Sequence, residues 1–126
     1  MVETKKILIL DDEPDIVVLT EKMLQFGGYE TIPCTNEIKA LKIIEQEYQD
    51  IALILLDDIM PSINGYEILK MIKTNEKYKD ILVVLFSART FHEDIQKARE
   101  LGADGYIAKL FSANELLEYM KNILSK

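Results

Sequence analysis

Asp11, Asp12, Asp57, Asp58, Ser87 and Lys109 are the residues of this 126-residue chain whose types and spacing could do chemistry together. Each stands at or just past the end of a short apolar run: KKILIL, IALILL, ILVVLF and YIA. Carboxylates crowded into one volume raise each other's pKa and cost stability unless a cation sits among them. Hard oxygen ligands with room for water suit Mg²⁺ or Mn²⁺. Lys109 offers a point charge for a phosphoryl group, and Ser87 a hydroxyl donor. A carboxylate can itself attack phosphorus and form an acyl phosphate. Together the set reads as metal-assisted phosphoryl transfer to an aspartate. Periodicity leaves Asp57 and Asp58 both open as the acceptor, because a strand covered on both faces has no polar side.

The elements that must position these residues follow from the apolar pattern. Residues 5–10, 30–34, 51–57, 81–87 and 106–109 read as strands. Between them lie helical patterns. Pro14 opens the first, and Gly27-Gly28 stops it; Ile16, Leu19 and Leu24 are expected on its apolar face. The second covers 36–48, with Ile38, Leu41 and Ile44 at helical spacing. The third follows a capping pattern at Asn64–Glu67, and Thr90 with Glu93 and Ser112 with Glu115 cap the last two. Strands alternating with helices imply a parallel sheet with helices on both faces. Pro33 cannot donate to a ladder, so the second strand belongs at a sheet edge. The flavodoxin-like (βα)5 doubly wound order 2-1-3-4-5 puts it there, and ligands of such sheets bind at the carboxyl ends of the strands, between strands 1 and 3. The second strand, ending near Thr35, lies off-centre.

Composition narrows the class. The chain is 48% hydrophobic and 29% charged, which fits one globular domain over residues 1–126 rather than a disordered tail. A net charge of −7 argues against direct nucleic-acid binding or a general attraction to anionic membranes. One cysteine, Cys34, excludes an internal disulfide. The apolar stretch near the N-terminus is too short for a signal-peptide core, and none approaches membrane-spanning length, so a cytoplasmic location is expected.

The stretches ILILDDEPDI, LILLDDIMPSINGYE, VLFSA and GADGYIAKLF, in this order, resemble the receiver domain of two-component response regulators over nearly the whole chain. The resemblance picks Asp57 as phosphoacceptor, four residues before Pro61 of a D-x-x-M-P pattern that includes Met60. It implies that Asp11 and Asp12 hold Mg²⁺ (or Mn²⁺) with Asp57 and the backbone carbonyl of Ile59. Ser87, Lys109 and the backbone N–H of Ala88 would contact the phosphoryl oxygens, Tyr106 would be the switch aromatic, and Gly65 would let the loop turn close to the site. The implied partners are a sensor histidine kinase or histidine phosphotransfer protein, docking beside Ile16 and Leu19, and a downstream protein target on the face of the fourth helix, fifth strand and fifth helix. A homodimer on phosphorylation fits the same picture. The protein would be a signalling switch or phosphorelay component that assists its own phosphorylation, not an enzyme in the ordinary sense.

The chain departs from the pattern at Leu110, where the family usually has proline, often in cis. A trans Lys109–Leu110 bond with a shifted loop, or a strained cis one, is expected. Ile59 and Arg89 are expected to shield the phosphoryl group from water. Asp58 reads as a solvated neighbour, His92 as a surface residue in the first turn of the fourth helix, and Cys34 as a small core residue. The alternative reading is a phosphorylation-independent interaction module. A haloacid-dehalogenase-type phosphatase would need an acid where Ile59 stands. A flavodoxin-like flavin binder would need a Ser/Thr/Gly-rich loop in place of DDEPD.

Overall fold

The computed structural model of the protein describes residues 5–57, 65–87, 92–109 and 111–125. Strands and helices alternate: β1 (Lys6–Leu10), α1 (Pro14–Phe26), β2 (Thr31–Cys34), α2 (Glu37–Glu47), β3 (Ile51–Asp57), α3 (Gly65–Thr74), β4 (Leu82–Ser87), α4 (His92–Glu100), β5 (Gly105–Ala108) and α5 (Ala113–Leu124). A 3₁₀ turn, Tyr48–Asp50, joins α2 to β3. All strand pairs are parallel, in the order β2-β1-β3-β4-β5. This is the flavodoxin-like order expected from the sequence. No helix among the described residues is long and apolar enough to cross a membrane.

The continuous apolar runs arise because the sheet is covered on both faces. Leu8, Leu10, Ile54, Leu56, Val83 and Leu85 meet Ala40, Ile44, Ile68, Leu69, Ile72 and Ala98 from α2, α3 and α4. The alternate residues Ile7, Ile9, Leu53, Leu55, Val84 and Phe86 meet Val17, Leu24, Leu116 and Met120 from α1 and α5. Each fully buried Val, Leu, Ile, Phe or Met among them contributes about 1.5–3 kcal/mol.

Pro33 lies on an edge strand and costs no ladder bond. The N–H groups of Ile7 and Asp11 donate to the carbonyls of Glu30 and Cys34, so the even positions of β2 face β1 and Pro33 faces outward. Cys34 is buried, its thiol donating to the Asn36 carbonyl at 3.1 Å.

Local chemistry sets the helix ends. Asn36 accepts the Lys39 N–H at 2.9 Å, and Ser112 and Glu115 form the expected reciprocal capping box. Gly28, at φ +91°, takes the left-handed turn after α1 that a side chain would strain. The capping patterns at Asn64 and Thr90 lie outside the described residues. The inward face of α1 differs from the expected one: Val17, Thr20 and Leu24 are buried, whereas Val18 and Leu19 are about half exposed and Ile16 lies at the margin. On α2, likewise, Glu37, Ala40 and Ile44 are buried and Ile38 is exposed.

Candidate functional site

The strand register brings the acidic residues together. Leu10 pairs with Leu56, so one step further Asp11 leaves β1 beside Asp57 at the end of β3. Both carboxylates are buried, and Asp12, next along the chain, is more open. A carboxylate oxygen from each of Asp11, Asp12 and Asp57 lies within 4.8 Å of the other two. Asp11 is also built into the loop, since its Oδ1 accepts the Glu13 N–H at 3.0 Å. Asp11 therefore both fixes the turn that leads into α1 and belongs to the acidic cluster.

Lys109 supplies the positive charge. Ser87 pairs with Ala108, and the Lys109 N–H donates to the Ser87 carbonyl at 2.7 Å, which fixes the backbone just beyond β5. The lysine side chain then crosses the end of β4. Its Nζ stands 5.4 Å from the centroid of the Phe86 ring and reaches Asp11 Oδ2 at 3.0 Å, Asp57 Oδ1 at 3.5 Å and Glu13 Oε1 at 3.7 Å. Burial alone would pull the lysine pKa down. Contact with Asp11 and the charges of Asp57, Asp11 and Glu13 outweigh it, so the pKa is raised and the group stays an ammonium. Asp11 Oδ2 is fully buried, and among the described residues its partner is that ammonium, an ion pair without hydrogen-bond alignment.

The cluster fits a divalent cation. Three carboxylates face one ammonium, which leaves excess negative charge in a space partly closed to water. An incompletely satisfied buried carboxylate oxygen is the donor a hard cation takes. The carboxyl set is all oxygen, as Mg²⁺ or Mn²⁺ requires.

Ser87 is buried at the end of β4. It shares the parity of Val83 and Leu85 and so approaches the rim from the opposite sheet face to Asp57. Tyr106, the second residue of β5, is half buried; it packs against the cluster on the α4 side and lines a cavity of about 90 Å³ with Ile95, Ala98 and Arg99. Gly65 begins α3 and is buried. Asp58, Ile59, Met60, Pro61, Ala88, Arg89 and Leu110 lie outside the described residues, and with them the proposed carbonyl ligand, the backbone phosphoryl contact and the Lys109–Leu110 bond. Sequence reasoning missed Phe86 as the platform beneath Lys109, and Glu13 as its third acidic neighbour. Phe86 was legible in principle, as the bulky residue preceding Ser87 on the strand between β3 and β5.

A five-stranded parallel sheet in the order β2-β1-β3-β4-β5, with three carboxylates and a lysine gathered at one rim, defines a flavodoxin-like class of α/β domain. Residues 7–121 match the family described as the response regulator receiver domain, and the chain belongs to that family. It is 35% identical over 120 residues to the response regulator SaeR of Staphylococcus aureus, covering 95% of this chain and 50% of SaeR. The chain thus spans about half the length of the curated relatives it matches. Among solved structures it resembles a CheY-like receiver domain protein from Methanospirillum hungatei (TM-score 0.86, 30% identity, 97% of this chain and 94% of that one). It also resembles the BeF3-activated receiver domain of DrrB (TM-score 0.84, 28% identity, 98% and 99%), a Thermotoga maritima protein.

Proposed function

We propose that the protein accepts a phosphoryl group on Asp57 from a histidine kinase or histidine phosphotransfer protein. The observation that carries this reading is the placement of the Asp57 carboxylate within reach of Asp11, Asp12 and the Lys109 ammonium. An Asp57 oxygen attacks phosphorus, the new P–O bond forms as the donor's P–N bond breaks, and the imidazole nitrogen keeps the bonding pair. Lys109 neutralises charge on the phosphoryl oxygens, and the Ser87 hydroxyl donates to one of them. Asp11, Asp12 and Asp57 are the side chains that would hold Mg²⁺, which when bound offsets the charge of acceptor and phosphoryl oxygens together.

The kinase is proposed to dock beside α1, where Val18 and Leu19 are exposed. Phosphorylation shifts a two-state equilibrium through Ser87 and Tyr106, changing the α4–β5–α5 face that a downstream protein or a second phosphorylated copy meets. That the DrrB receiver domain has been solved in a BeF3-activated form supports this reading for a chain of the same fold.

The test is intact mass after incubation with acetyl phosphate and Mg²⁺, beside Asp57→Asn. One added phosphoryl group, absent from the variant and without metal, is the expected result. Phosphorylation that persists in Asp57→Asn would move the acceptor elsewhere.

A further inference from the structure

Tyr106 is held from two sides of the sheet. Its side chain packs on the α4 side, against the cluster that holds Ala98, and shares a cavity wall with Ala98 and Ala103. Its main chain lies on the open edge of β5. The Lys109 N–H donates to β4, so by two-residue alternation the Ile107 N–H shares that direction and the Tyr106 N–H points away from the sheet. An edge donor of this kind needs a partner or solvent.

Tyr119 of α5 supplies the partner. Its ring belongs to the opposite cluster, with Ile107, Phe111 and Ile123. The Tyr119 hydroxyl lies against the β5 main chain at Gly105, beside Tyr106, whose main chain acts on it in the sense that stabilises the phenolate, as a donated N–H does. Gly105 makes room for it, because a Cβ there would collide with that hydroxyl and crowd the ring carbon that bears it. The α4–β5 turn behind is pinned independently. Asp104 accepts the Val83 N–H at 2.8 Å and pairs with Lys73 at 2.7 Å, and Lys73 also donates to the Ile81 carbonyl at 2.7 Å. With its approach fixed, the next residues of β5 are held by the β4 ladder on one edge and from α5 on the other.

We infer that Tyr119 is a positioning residue for the Tyr106 switch, holding the Tyr106 main chain from α5 through its hydroxyl in the clearance left by Gly105. The inference rests on the phosphoacceptor reading, in which Tyr106 responds to the state of Asp57. It makes α5 a second input to the switch: whatever displaces the Tyr119 hydroxyl loosens the resting placement of Tyr106, and by linkage the state of Asp57 alters the hold on Tyr119.

The experiment compares the wild type, Tyr119→Phe and Gly105→Ala by NMR of the Tyr106 amide and ring, with and without beryllofluoride and Mg²⁺. Removing one neutral hydrogen bond should speed Tyr106 amide exchange roughly two- to tenfold. The Tyr106 ring signal of the ligand-free variants should lie part-way along the line joining the free and beryllofluoride-bound wild-type positions, while beryllofluoride still binds. A purely structural role would lower the melting temperature without that displacement. Wild type and both variants responding to beryllofluoride with superimposable Tyr106 signals would overturn the role of Tyr119 alone. No response in any of them would overturn the phosphoacceptor reading and the switch role with it.

Discussion

Lys109 Nζ stands 3.5 Å from Asp57 Oδ1 although their strands are not neighbours. β4 lies between, and parallel strands are about 4.8 Å apart, so the lysine bridges roughly 10 Å of sheet. It does so over the Phe86 ring, which leaves a nearly buried ammonium bound to buried acids. Lys109→Ala therefore strands Asp11 Oδ2 without its cation. We expect a loss of roughly 1–3 kcal/mol in chelator, measured by urea unfolding, and a larger stabilisation by Mg²⁺ in the variant than in the wild type. Equal Mg²⁺ shifts in the two proteins would show that metal and lysine do not share the same carboxylates.

Asp12 separates metal binding from structural support. It is more open than Asp11 and makes none of the ion pairs with Lys109. Asp12→Asn removes one of three clustered charges, so stability in chelator should hold or rise. Mg²⁺ affinity, followed by calorimetry, should fall about tenfold or more, since loss of 1.4 kcal/mol of ligand charge interaction is tenfold. Unchanged affinity would place the ion elsewhere.

The strands were legible because β1, β3 and β4 are covered on both faces and leave long apolar runs in the sequence. The edge position of β2 was legible because Pro33 lacks a donor. The inward face of α1 was not. Ile16, Val17, Val18 and Leu19 are consecutive and all apolar, so they spread over more than one side of the helix, and only contact with the sheet selects Val17, Thr20 and Leu24. The placement of Asp57 beside Asp11 was half legible. It shares the parity of Leu53 and Leu55, as Asp11 shares that of Ile7 and Ile9, but that signal becomes usable only once the β1–β3 register sets these residues on one face. Tyr119 and Lys73 carried no local signal, because each acts on a backbone group outside its own helix.

The corrected face of α1 has its own consequence. Leu55 is fully buried beneath α1 and α5, whereas Leu19 is about half exposed. Leu55→Ala should cost about 2–5 kcal/mol. Leu19→Ala should stay within about 0.5 kcal/mol of the wild type and report instead on docking: phosphorylation by acetyl phosphate unchanged, phosphotransfer from a kinase slowed. A large stability loss for Leu19→Ala would return that residue to the core.

Tyr119 gives the fold an alkaline signature. Burial raises its phenol above the ordinary 10.0, the nearby Asp104 carboxylate adds to the rise, and the Tyr106 main-chain bond opposes it in part. A group that holds its proton longer when folded contributes stability that is fully present below its unfolded pKa. Above that value the unfolded chain loses the proton first, so stability falls as pH rises toward the folded pKa. Urea midpoints measured from about pH 9 to about pH 11 should therefore drop more steeply in the wild type than in Tyr119→Phe, which has no phenol to ionise there. The other tyrosines and the lysines titrate in both proteins and cancel in the difference between the curves. Parallel curves would mean that the Tyr119 hydroxyl is as well solvated in the folded chain as in the unfolded one, and so is not seated against Gly105 and Tyr106.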